Sequence, residues 1–205
     1  LALPADVSVE HDVRALVSTT QQEFGPIDLF CSNAGVAFGA GLDASDADWA
    51  RAWSVNLLPH VYAARAVLPA MVERGSGYLL NTASAAGLLT SPGDAPYATS
   101  KHAAIGLAEW LAVTYGSSGI GVSVLCPMGV RTELLMPHVE AGSLFAVAIA
   151  SSGDIIEPEQ VAEAVVAGLD AERFLILPHE EVGQMYAHKA ADPDRWLAGM
   201  RRVFG

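Results

Sequence analysis

The stretch SAAGLLTSPGDAPYATSK, from Ser84 to Lys101, decides how this chain is read. It carries a hydroxyl, a phenol and an ammonium in an order that suits proton transfer to an oxygen. Tyr97 and Lys101 stand four apart, and the run after them, HAAIGLAEWLAVTYG, reads as helix, so both side chains face the same way. Ser84 lies 13 residues before Tyr97, just past the strand-like run Tyr78-Leu79-Leu80-Asn81-Thr82. A strand end and a helix start can converge at the carboxyl ends of the strands in an α/β sheet. With 5 tyrosines and two lysines in 205 residues, a chance Tyr-x-x-x-Lys is expected about 0.05 times, so the spacing needs support from the rest of the chain.

Composition bounds what that support can be. A chain of 205 residues is long enough for one domain with a sizeable core. Apolar residues make up 52% and charged residues 17%, the balance of a globular protein. A net charge of −12 argues against nucleic acid or an anionic membrane as partner. Cys31 and Cys126 each end an apolar run and read as small buried core residues, with no disulfide indicated. The six histidines show no metal-ligand spacing, so no metal site is expected. No window reaches 18 uninterrupted apolar residues and no signal pattern opens the chain, so a cytoplasmic, reducing location is the expectation.

Upstream of the quoted stretch, Leu1 to Val7 reads as the tail of a strand with nothing before it, as in a truncated protein. Ser8 is placed to cap a helix with Val9, Val13, Leu16 and Val17 on one face. Ile27 to Cys31 has the pattern of a buried parallel strand. Asn33-Ala34-Gly35 follows; its small residues let the backbone come close to a ligand, or form an ordinary turn. Ser45, with Asp48 three residues on, opens a helix to about Glu73. Pro59 inside it frees the Val55 carbonyl, so a bend is expected near Asn56.

Downstream, the helix carrying Tyr97 runs to about Tyr115, and Val122 to Cys126 is another buried strand leading into Pro127-Met128-Gly129-Val130-Arg131-Thr132. Residues 133–157 are apolar and broken by Pro137, Gly142 and Gly153, a candidate lid over a site or a short packed helix pair. A helix from Glu157-Pro158 to Leu169, a last strand at Phe174 to Leu177, and polar helices over 180–203 complete the chain. Strand and helix alternate throughout, which predicts an α/β fold with a parallel sheet and helices on both faces.

Asp6-Val7, Asn33-Ala34-Gly35, Asn56, Ser84, Tyr97-x-x-x-Lys101, and Pro127 with Val130 and Thr132 together resemble the short-chain dehydrogenase/reductase family over nearly the whole chain. The resemblance implies a single Rossmann-type, doubly wound domain over 1–205 and NAD or NADP as hydride carrier. Tyr97 would be the general acid or base on a secondary alcohol or ketone, with Lys101 lowering its pKa and holding the nicotinamide ribose. Ser84 would hold the substrate oxygen, and Asn56 a water linking Lys101 to solvent. Asp6 and Val7 would meet the adenine, Asn33-Ala34-Gly35 the adenosine ribose, and Pro127, Val130 and Thr132 the nicotinamide side.

Two departures stand out. The Gly-rich phosphate turn is absent, as though two strand–helix units, roughly 50–60 residues at about 30 per unit, were not included. Met128 also stands where the family usually has glycine, a residue that can shape the pocket. Leu88, Met128, Leu134, Leu135, Met136 and Phe145 suggest an apolar substrate by their positions in the family pattern. A non-catalytic binding protein on the same fold, or an epimerase or dehydratase using the same tyrosine, are the alternatives. Family members usually pair as homodimers or homotetramers through the helices corresponding to 46–73 and 97–115.

Overall fold

A computed structural model describes residues 1–204. Among them the chain alternates strand and helix: α1 Glu10–Phe24, β1 Leu29–Ser32, α2 Asp46–Asn56, α3 Leu58–Arg74, β2 Gly77–Thr82, α4 Ala86–Leu89, α5 Ala95–Tyr115 and β3 Ile120–Leu125. Then follow α6 Met136–Glu140, α7 Leu144–Ala150, α8 Pro158–Asp170, β4 Leu175–Ile176, α9 Glu180–Ala191 and α10 Pro193–Phe204. The strands pair in chain order, β1-β2-β3-β4, all parallel. A parallel pair needs a crossover long enough to return the chain, and here helices make every crossover. All four strands therefore end at one edge of the sheet, so the segments after Ser32, Thr82, Leu125 and Ile176 gather there.

Side-chain alternation on β2 splits the core in two. Leu79 packs with Val67 and Met71 of α3, Ala104 and Ala108 of α5, and Val122 and Val124 of β3. Leu80 points the other way and packs with Leu125, Ile176 and residues of α8. Two helices meet closely below the site. A side chain at Gly87 would place its Cβ 2.6 Å from the Lys101 carbonyl oxygen, so only glycine lets α4 lie this near α5.

Three local expectations change. Ser8 does not cap α1: its hydroxyl donates to Asp6 at 2.7 Å, and the cap residue is Val9, with no side-chain bond. The helix opened by Ser45 has its full capping box but divides at Leu57 instead of only bending. Pro59 then occupies the first turn of α3, where a missing N–H costs nothing. The stretch from Asp46 to Arg74 is long and apolar enough by composition to cross a membrane, yet it is broken there and buries residues such as Ala52, Asn56, His60 and Met71. Finally, Cys31 is exposed among the described residues, whereas Cys126 is fully buried.

Candidate active site

Asp94 starts the site. It is fully buried and caps α5, accepting the Tyr97 backbone N–H on Oδ1 at 3.0 Å. Its Oδ2 accepts the N–H groups of Phe38 at 2.7 Å and Gly39 at 2.8 Å. One carboxylate thus joins the helix carrying Tyr97 to the segment after β1. The signal for it was present in the sequence: an aspartate before an Ala-Pro helix start is a capping pattern.

Tyr97 and Lys101 sit on one face of α5, 8% and 2% exposed. Lys101 Nζ donates to the Thr82 carbonyl at 3.0 Å and lies 5.7 Å from the Tyr97 ring centroid. Ser84, past the end of β2, accepts the Ala86 N–H at 3.1 Å and donates to the Pro127 carbonyl at 3.4 Å. The Tyr97 ring meets Phe145 of α7 edge-on at 5.6 Å. Phe145 in turn meets His138 of α6 at 5.2 Å, so the 133–157 segment closes over the phenol.

Burial sets the proton affinities. It pushes the Tyr97 phenol up to about 12, against the opposing pull of the Ser84 hydroxyl. It draws Lys101 down to about 8. The net shift of Tyr97 is upward, so it is a neutral, proton-bearing phenol at neutral pH. His60, also buried, is pulled down to about 4 by desolvation and then by the charge of Lys101. Neither of its ring nitrogens has a hydrogen-bond partner among the described residues.

The Asn56 side chain is fully engaged with protein groups. Its carbonyl accepts the Val36 N–H at 2.8 Å, and its amide donates to the Val36 carbonyl and the Ser100 hydroxyl, each at 3.0 Å. It buckles the segment after β1 onto α5. A side chain at Gly35 would put a Cβ 3.4 Å from both Asn56 Oδ1 and Lys101 Nζ, so glycine leaves Lys101 open to the cavity.

That cavity, about 740 Å³, is walled by Asn33, Ala34, Gly35, Ser84, Tyr97, Lys101, Pro127, Met128, Val130 and Thr132 together. Leu134, Leu135 and Phe145 add an apolar side. Four residues expected to meet cofactor or substrate lie outside this wall. Leu88 is buried in the main core, and its neighbour Leu89 faces the cavity instead, because consecutive residues of a short helix diverge. Met136 turns toward Arg131. Asp6 and Val7 lie outside the wall, where Asp6 is held in a turn with Ser8. The last two helices were read as merely polar, yet Trp196, Met200 and Phe204 of α10 line the cavity. Their spacing of four was the available signal.

The donor set fits the nicotinamide ribose end of a dinucleotide: the Lys101 ammonium, the Tyr97 phenol and the Ser84 hydroxyl stand together beside the small-residue backbone of 33–35. A profile of short chain dehydrogenases matches residues 1–142. The chain belongs to the short chain dehydrogenase family. It is 33% identical over 204 residues to the oxidoreductase UcpA of Salmonella typhimurium, covering 98% of this chain and 73% of that protein. It is 27% identical over 197 residues to a D-beta-hydroxybutyrate dehydrogenase of Rhizobium meliloti, covering 96% and 73%. Among solved structures it matches a Burkholderia phymatum family member in complex with NAD, with a TM-score of 0.84, 28% identity, and 95% and 76% covered. The chain is thus an NAD(P)-dependent dehydrogenase acting on CH–OH groups, on a Rossmann-like α/β fold.

Proposed function

We propose that this family member interconverts a secondary alcohol and a ketone, with Tyr97 moving the proton. One observation carries the reading: Ser84, Tyr97 and Lys101 line a single cavity while the phenol is held neutral. When bound, NAD or NADP supplies or accepts the hydride. The backbone of Asn33-Ala34-Gly35 would hold the adenosine side, and Val130 with the Thr132 hydroxyl the nicotinamide side. Lys101 has donated one of its three N–H bonds to Thr82, which leaves the others for ribose hydroxyls.

In reduction, the Ser84 hydroxyl donates to the ketone oxygen and holds it near Tyr97. As hydride reaches the carbonyl carbon, the phenolic proton passes to that oxygen and the alcohol forms. In oxidation the same proton returns to a phenolate, which the positive charge of Lys101 favours. Met128, Leu134, Leu135 and Phe145 make the substrate side apolar and exclude water from the proton transfer. We place the protein in the cytoplasm as a homodimer or homotetramer; exposed Trp110 and Val113 on α5, and Trp53 and Val72 on α2 and α3, suit helix pairing between copies.

Tyr97→Phe tests the assignment. It is expected to lower kcat by about 10²–10⁴, the usual contribution of such a group. Turnover within a few-fold of the parent enzyme would remove Tyr97 from the reaction.

A further inference from the structure

The 133–157 lid leaves and rejoins the fold at one place. The Gly129 carbonyl accepts the Ile156 N–H at 3.0 Å, and the Arg131 N–H donates to the Ile156 carbonyl at 2.9 Å, pairing Val130 with Ile156 as a short parallel bridge. The contact is tight. A Cβ at Gly129 would stand 2.8 Å from Ile149 Cγ2, and one at Gly153 would stand 2.5 Å from Met128 Cε. The loop at the end of β3 and the returning leg of the lid are therefore built against each other.

His179 sits behind this junction, 3% exposed, just before α9. Its side chain does not cap its own helix. It reaches the loop instead: Nδ1 is 3.2 Å from the Met128 backbone nitrogen, and Nε2 is 3.1 Å from the Gly129 carbonyl oxygen and 3.3 Å from that of Asp154. A backbone N–H can only donate and a carbonyl can only accept. Nδ1 is thereby the acceptor, and Nε2 carries the hydrogen shared between the two carbonyls. Met128 and Val130, on either side of Gly129, line the cavity, and Phe145, on the lid, packs on Tyr97.

We propose that His179 is a positioning residue that latches the 127–130 loop to the returning leg of the lid. It sets the width of the cavity at Met128 and the closure of the roof over Tyr97. The ring touches neither substrate nor cofactor; it acts through two backbone segments that do form the site. Its significance for turnover rests on the dehydrogenase reading above, but the latch itself is a property of the backbone.

A three-variant series separates the two ends of the ring. His179→Phe keeps a ring and removes every bond; His179→Gln offers an amide donor near Nε2; His179→Asn offers a carbonyl acceptor near Nδ1. The readouts are steady-state kinetics with a ketone and either nicotinamide cofactor, and amide hydrogen exchange across the lid. Losing these buried bonds in His179→Phe is expected to raise the ketone KM about tenfold, leave kcat within about threefold, and speed exchange at 150–156 by a similar factor. His179→Gln should restore most of both, since the donor joins two carbonyls.

A His179→Phe enzyme with KM and exchange at 150–156 within about twofold of the parent would overturn the latch. So would exchange that rises equally in β2 and β3, which marks general loosening. Should His179→Phe not fold, Gln and Asn variants that both match the parent in exchange would overturn it as well. The exchange pattern needs no turnover, so a failure of the Tyr97 assignment leaves this test intact.

Discussion

Taking a lysine out of water disfavours its ammonium, and Lys101 is held at about 8 against an ordinary 10.5 for that reason. Between those values the unfolded chain binds a proton at Lys101 that the folded chain lacks, so stability rises with pH across that window. Tyr97 acts in the opposite sense. Its folded value near 12 exceeds the ordinary 10.0, so the folded chain keeps a proton the unfolded chain loses, and stability falls as pH passes from 10 to 12. The buried Cys126 thiol, pushed from 9.0 up to about 12, likewise lowers stability as pH rises from 9, so denaturant unfolding at a series of pH values is expected to show a maximum between about pH 9 and 10. In Lys101→Met the rise above pH 8 should vanish; a rise of equal size in that variant would assign it to another group. The same chemistry explains the site at neutral pH. The phenol carries its proton, and the nearby charge of Lys101 is what a phenolate would need once the proton has left.

At the level of single elements, α5 carries Tyr97 and Lys101, and Asp94 decides where α5 begins. Three backbone N–H groups, from Phe38, Gly39 and Tyr97, converge on its carboxylate. Losing an N-cap usually costs about 1 kcal/mol, and the donors of half-buried Phe38 and exposed Gly39 lose their acceptor at up to about 1 kcal/mol each. Asp94→Ala is therefore expected to lower unfolding free energy by about 2–3 kcal/mol in denaturant titration and to reduce turnover with it. Asp94→Asn, which keeps one oxygen acceptor, should fall between the two. A loss below about 1 kcal/mol in Asp94→Ala would mean the three donors find other partners. Asn56 works similarly from the end of α2, joining Val36 to Ser100, so α2 and α5 both hold the segment after β1.

For the whole molecule, the cavity is a product of sheet topology. Four parallel strands ending at one edge bring residues 33–35, 84, 97–101 and 127–132 together from across the chain. The far wall comes from α10, whose Trp196, Met200 and Phe204 repeat every four residues and turn inward. The Trp196 indole nitrogen is buried with no partner among the described residues, so its ring stabilises by apolar contact alone. Trp196→Ala is expected to cost about 3 kcal/mol and to increase binding of a hydrophobic dye as α10 lifts from the cavity. Unchanged dye binding would show that α10 holds without its indole.

Local patterns in the sequence determined much of this. The capping box at Ser45, the helix through Tyr97 and Lys101, and the strand–helix alternation each depend on residues a few positions apart, and each stands in the structure as read. The apolar character of the lid followed in the same way. What neighbouring residues could not decide is anything set by partners 20 to 100 positions away. The bonding of Asn56, the clamp of Asp94 on Phe38 and Gly39, and the reach of His179 to Met128 all depend on contacts made only when the sheet is assembled. Burial follows the same rule. The patterns placed Tyr97 and Lys101 side by side, but only the packed core around them makes the phenol hold its proton and the lysine give its up more readily.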